Sequence, residues 1–208
     1  MAGDTEHPTR PDGLTAPSPA LPLPPGTPAA MLEALARQDH AGLRAAVARH
    51  PNTPPALLEA LAATEPGAVL SNPALPLLRL AHPRLLLNTP RATLLALVGS
   101  PAAPDWLRRH ALAHPDTGVV AAAASHPDLT PAQLAALAEH PAWQVRSRVA
   151  ARPDLRDDTL RALAADPDYG VRMYVAARPD LPPAVQAQLR QDPSAFVRQV
   201  LARPAPQR

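Results

Sequence analysis

Cysteine, lysine and isoleucine are absent from this 208-residue chain, and only five of its residues are aromatic. Without cysteine there is no disulfide framework, no thiol nucleophile and no thiolate-bound zinc or iron–sulfur cluster. All 20 basic residues are arginine, set against 18 acidic ones, for a formal net charge of +2. That balance is too even to mark a polycationic nucleic-acid footprint. No run of about 18 apolar residues escapes interruption by proline or a charge, so no membrane-spanning helix is expected. The first 30 residues lack a charged stretch followed by an apolar core, so a secretory leader is not expected and a cytoplasmic location is. Gly-rich phosphate loops, GxSxG elbows and Ser/His/Asp arrangements are also missing, so neither an enzyme nor a cofactor is expected.

What the chain does have is proline, 30 residues of it, in a regular pattern. Pro115, Pro141, Pro167 and Pro193 are spaced by 26, and so are Pro101, Pro127, Pro153 and Pro179. The two series interleave, giving each unit a longer and a shorter half. In the longer half Leu134 and Leu137 return as Leu160 and Leu163, three apart and on one helical face. In the shorter half Val145 and Val149 return as Val171 and Val175, then as Val197 and Leu201. Strand-like alternation is absent, so the fold class is all-α. Helices this short are marginal alone, and one pair cannot enclose its own apolar stripe. Stacking pair upon pair buries each stripe against the next, which is the solenoid solution.

Proline at the first helical position lacks only an N–H that had no partner there. The residues before proline then stand as N-caps: Thr53, Asn72, Thr89, Ser100, Thr130, Asp166 and Asp192. Thr130 with Gln133 fits a capping box. Residues 1–27, rich in proline and glycine and without helical period, are expected to be a disordered tail. Within them PSPALPLPP, residues 17–25, has the spacing of a PxxP ligand. The expected units run 28–50, 51–72, an irregular stretch 73–100, then 101–126, 127–152, 153–178 and 179–203, with 204–208 as a second tail. The irregular stretch, leucine-rich and nearly uncharged, reads as abbreviated helices buried mid-array.

The phrase built on Asp166-Pro167, Val171-Arg172, Val175-Ala176 and Pro179-Asp180-Leu181-Pro182 recurs at one-unit spacing on both sides. It resembles the leucine-rich repeat variant family over about residues 28–203, most clearly from 101 onward. The resemblance implies a right-handed superhelix of alternating short α and 3₁₀ helices, similar in shape to HEAT and armadillo arrays. Some relatives carry a cysteine-ligated iron–sulfur module, which this cysteine-free chain lacks. The family supplies no shared catalytic residues.

Several columns are candidates for a binding surface. Arg44, Arg146, Arg172 and Arg198 form one ladder, interrupted by Val120, and could bind phosphates or bridge to Asp166 and Asp192. Arg152 and Arg178 end the shorter helices, where a cation meets the dipole. Trp143 and Tyr169 share a column, with Phe196 shifted by one; they could anchor a partner or plug gaps between units. Arg148 and Tyr174 complete the candidate surface. His110 and His114 stand four apart, a spacing compatible with zinc, but the glutamate of a zinc protease is missing and no metal is expected. The function that follows is a non-enzymatic scaffold binding a protein along its curved surface, with nucleic-acid binding through the arginines as the alternative.

Overall fold

The computed structural model describes residues 23–203, which form fourteen α-helices and no strand. In chain order these are α1 (Ala29–Ala36), α2 (Ala41–Arg49), α3 (Pro55–Leu61), α4 (Pro66–Leu70), α5 (Leu75–Ala81), α6 (Arg91–Val98) and α7 (Asp105–Leu112). Then follow α8 (Thr117–Ala124), α9 (Pro131–Ala138), α10 (Trp143–Ala150), α11 (Asp157–Ala164), α12 (Tyr169–Ala176), α13 (Pro183–Arg190) and α14 (Ala195–Leu201). Helices α10, α12 and α14 start at Trp143, Tyr169 and Ala195, while α9, α11 and α13 start at Pro131, Asp157 and Pro183. The same register thus returns every 26 residues through the last three pairs.

The even-numbered helices pack against one another in an unbroken row from α2 to α14. The odd-numbered ones stay further apart, and only α9, α11 and α13 form a comparable row. Val145, Val149, Val171, Val175 and Val197 on the even row are fully buried between neighbours. Each such burial stabilises by about 1.5–3 kcal/mol. There is no single interior. One group of buried side chains runs from Leu32 to Ala123 and a second from Val120 to Val197. They meet in α8, whose Val119 faces the first and Val120 the second. This is a helical repeat solenoid.

Four expectations need correction. Proline does not open the helices in the two periodic series. Asp116, Ala142, Asp168 and Ser194 are the N-caps of α8, α10, α12 and α14, so Pro115, Pro141, Pro167 and Pro193 precede the cap. The reason is local. The residue before each proline accepts, through its side chain, the N–H two positions on: His114 from Asp116, His140 from Ala142, Asp166 from Asp168 and Asp192 from Ser194. That closes a turn with proline at its second position, and the helix begins only afterwards. Of the expected cap residues Thr130 alone caps, in a complete capping box with Gln133.

The second correction concerns the helix types implied by the resemblance. Both halves of each described unit are α-helical, with no 3₁₀ segment among the described residues. The third concerns the tail, most of which lies outside the described residues. Its last part belongs to the array: Leu23 packs on the core, the Pro24 carbonyl accepts from Thr27 and His50, and the Pro25 carbonyl accepts from Asn52. The fourth concerns residues 73–100. They are helical, but Leu77 and Leu80 of α5 are 70% and 79% exposed, while Leu75, Leu85 and Leu86 are buried. Leu86 holds a left-handed φ of 66°, unusual for a side chain of that size. Its full burial and the hydrogen bond from its N–H to Glu59 (3.2 Å) offset the strain.

Candidate functional site

The candidate residues separate into two internal ladders and one exposed face. In the first ladder Arg146 donates from Nε and Nη2 to the Asp166 carboxylate at 2.6 and 2.9 Å. Its Nη1 donates to the carbonyls of His140 and Pro141 at 2.8 and 2.9 Å. Arg172 repeats the arrangement one unit on, with Asp192 at 2.7 and 3.1 Å and the carbonyls of Asp166 and Pro167 at 2.7 and 3.2 Å. Each guanidinium therefore fastens the turn before its own helix to the turn of the next unit. The fork geometry of arginine fits this two-sided role, which an ammonium cannot fill. Arg198 bonds to the carbonyls of Asp192 and Pro193. Arg44 lies 3.7 Å from Glu65, a looser version of the same pair.

Burial makes these pairs matter. The side chains of Arg146 and Asp166 are 12% and 4% exposed, those of Arg172 and Asp192 11% and 3%. The hydrogen bonds to Asp166 and to Asp192 raise the pKa of Arg146 and of Arg172 against the opposing effect of burial. Burial alone would raise Asp192, but the Arg172 guanidinium, the Ser194 N–H and the charges around it outweigh that and hold its carboxyl below the ordinary range. Where the arginine column is interrupted by Val120, the turn residue of the next unit is His140 instead of aspartate. Charge is thus paired across units at Arg146 and Arg172 and replaced by Val120 and His140 at the interruption, while the last member, Arg198, bonds only to carbonyls.

The second ladder runs through the residues that precede the other proline series. Asn72 donates from Nδ2 to the carbonyls of Ala48 and His50, both at 2.8 Å. Arg152 donates to the equivalent carbonyls one unit back, His126 at 2.6 Å and Ala124 at 3.3 Å, and pairs with Asp154 at 2.6 Å. Arg178 reaches the carbonyls of Arg152 and Pro153 and pairs with Asp180 at 3.0 Å. The guanidinium groups of Arg152 and Arg178 bridge backward to the preceding unit, where that of Arg152 meets the C-terminal carbonyls of α8. His50 begins the series by bonding to the Pro24 carbonyl at 2.9 Å. His126 occupies a rung too, but its Nε2 is buried without a hydrogen-bond partner. Proline spacing pointed to these columns; nothing in the sequence signalled that they reach backward across a whole unit.

The exposed face lies on the even row. Trp143 is 45% exposed, Tyr169 55%, Tyr174 45% and Phe196 66%. Trp143 and Tyr169 are thus each covered over about half of their surface and open to water over the rest. Trp143 and Tyr169 are the first residues of α10 and α12, and Phe196 is the second of α14. Arg148 and Tyr174 are the sixth residues of α10 and α12, about 140° round the helix from Trp143 and Tyr169. Arg148 is exposed and forms no ion pair among the described residues. Met173 is half-buried and packs against the core.

His110 and His114 bring their rings to 5.8 Å, edge to face, on one side of α7 and its following turn. No third ligand joins them: among the described residues no group of three His, Cys, Asp or Glu is placed to hold a metal. Arg79 lies 3.7 Å over the Trp106 ring, a cation–π contact that ties α5 to α7. An open cavity of about 560 Å³ beside α3 is lined by Glu59, His82, Arg84 and Asn88. Its Glu59 is already engaged by the Leu86 N–H. No helix among the described residues is long and apolar enough to cross a membrane.

Comparison with known families agrees with this architecture. Residues 18–74 match the model of the leucine-rich repeat variant domain, and residues 143–168 match that of the leucine-rich repeat variant. The second match contains Arg146, Arg152 and Asp166, so one unit carries members of both ladders. No curated protein and no solved structure matches the chain. Units in both halves of the array are thus similar to leucine-rich repeat variant repeats.

Proposed function

We propose that this protein is a non-enzymatic scaffold that binds another protein through the exposed surface of α10, α12 and α14. One observation carries the reading: Trp143, Tyr169, Tyr174 and Phe196 are exposed on consecutive helices of one row. Large aromatic side chains left in water on neighbouring helices are costly unless a partner covers them, and such rings dominate binding energy at interfaces. The rival reading, nucleic-acid binding through the arginine columns, loses its donors. Arg146, Arg152, Arg172 and Arg178 spend their hydrogen bonds on Asp166, Asp192 and backbone carbonyls. Arg148 is left as an exposed cation on the face, too little for a phosphate track.

The test is capture of partners from the native extract with the intact chain and with a Trp143→Ala/Tyr169→Ala variant of unchanged circular dichroism. Proteins retained by the first and lost by the second support the reading. A companion titration with duplex DNA at low salt is expected to show no binding; micromolar binding that weakens steeply with salt would favour the rival.

A further inference from the structure

We propose that the open cavity between α3 and the loop after α5 binds a small zwitterion of the amino-acid or short-peptide class. Its carboxylate meets Arg84 and its ammonium meets Glu59. The site lies where the repeat is interrupted. Along the odd row α3 and α5 do not pack closely on one another, and the cavity of about 560 Å³ occupies the gap. That size is typical of small-molecule sites. Pro55 and Glu59, one turn apart on α3, form one side, and Arg84, Leu85 and Asn88 of the loop form the other. The site is separate from the exposed surface of α10, α12 and α14, so this assignment and the scaffold reading stand or fall independently.

Two observations name the ligand's chemistry. Glu59 and Arg84 line one cavity with opposite charges, yet they form no ion pair with each other or with any other described residue. A simple anion would meet Glu59 as a like charge, and a simple cation would meet Arg84. A molecule carrying both charges satisfies the two at once through charge-assisted hydrogen bonds. The Asn88 amide, which bonds to no described residue, supplies a further donor and acceptor. The second observation is that the loop is fixed before any ligand arrives. Leu86 holds its left-handed φ of 66° with its side chain fully buried, and its N–H donates to Glu59 Oε1 at 3.2 Å. Arg79 donates to the Leu85 carbonyl at 3.1 Å. Strained backbone that the surroundings hold in place is a feature of ligand clamps, and a preset wall lowers the ordering cost of binding. The Leu86 bond also orients the Glu59 carboxylate and leaves its second oxygen for the ligand. Ala81 lines the cavity, and Leu77, 70% exposed, stands one turn earlier on the same face of α5. An apolar side chain on the ligand extends over that strip.

The test is an NMR titration of the intact, isotope-labelled protein with leucyl-leucine, beside its N-acetylated and its C-amidated forms. Saturable shifts of amides in α3 and in residues 82–88 are expected with the free dipeptide. Each blocked form, which has lost one charge, is expected to bind roughly tenfold more weakly. Glu59→Gln keeps the oxygen that accepts from Leu86 and removes only the charge. Arg84→Gln removes an exposed guanidinium that has no described ionic partner. With circular dichroism unchanged, each variant is expected to bind the free dipeptide roughly tenfold more weakly. Glu59→Gln should also cease to distinguish the acetylated form from the free one, and Arg84→Gln the amidated form. No saturable shift at millimolar dipeptide, or shifts confined to other helices, would overturn the assignment. So would equal binding of the acetylated form, which marks an adventitious anion site, or unchanged affinity in both variants.

Discussion

Arg172 clasps two successive units at once, donating to the Asp192 carboxylate at 2.7 and 3.1 Å and to the Asp166 carbonyl at 2.7 Å. Removing one partner of a buried pair leaves the other charge desolvated and unpaired, which costs about 3–5 kcal/mol. Arg172→Ala is therefore expected to lower stability by about 3 kcal/mol in urea titration. The chain itself contains the neutral alternative, Val120 with His140. The double variant Arg172→Val/Asp192→His should recover more than half of the loss of either single change. A double variant as unstable as the sum of the singles would show that the pair does not act as a unit.

Periodicity was legible where side chains repeat their roles. Val145, Val171 and Val197 recur because each fills the same gap between neighbours, and all three are fully buried. The bridge from Arg146 to Asp166 was equally readable, because both positions repeat in step with the prolines. Helix starts were less so. A residue before proline can cap a helix or close a turn, and both roles use the same side chains; the structure chooses the turn at His114, His140, Asp166 and Asp192. The exposure of Trp143 and Tyr169 was also hidden. Column position fixes where a ring sits along the helix but not whether a neighbouring unit is close enough to cover it.

Acid is expected to act on the middle of the array before its C-terminal units. Burial, followed by the Arg108 charge, pushes the pKa of His126 below its ordinary value, and burial with His114 and Arg79 does so for His110. The Asp128 charge opposes the shift at His126, and the Arg152 charge adds to it. A histidine with a depressed folded pKa contributes stability that is present above about pH 6.5 and is lost as pH falls through the folded value. Asp192 is also depressed, but its contribution is present above about pH 4 and is lost only below that. Amide exchange should therefore accelerate in α7 and α8 as pH falls below about 6.5, while α12 and α14 stay protected until roughly pH 4. Loss of protection in α12 and α14 first, or in all helices together, would contradict the assignment.

Val171 is fully buried between α10 and α14 on the even row. Val171→Asp places an unpaired carboxylate there, with no donor positioned to receive it. Because stability in a solenoid is a sum of neighbouring interfaces, the damage should be regional. Helical circular dichroism is expected to fall by the share of the units around α12, and the remaining signal should melt near the original temperature. A variant that keeps full ellipticity and its melting point would show that Val171 does not face the interface.

Trp143 and Tyr174 separate surface from packing. Each is 45% exposed. Truncating an exposed side chain changes stability by only about 0.5 kcal/mol, whereas removing a buried aromatic costs about 3–5 kcal/mol. Trp143→Ala and Tyr174→Ala are thus expected to melt within about two degrees of the parent, as the scaling of melting temperature with stability requires for a chain of this length. A drop several times larger would mean that the rings hold the units together. In that case their exposed faces would be incidental, and the binding surface would have to be sought on α5, where Leu77 and Leu80 are also left in water.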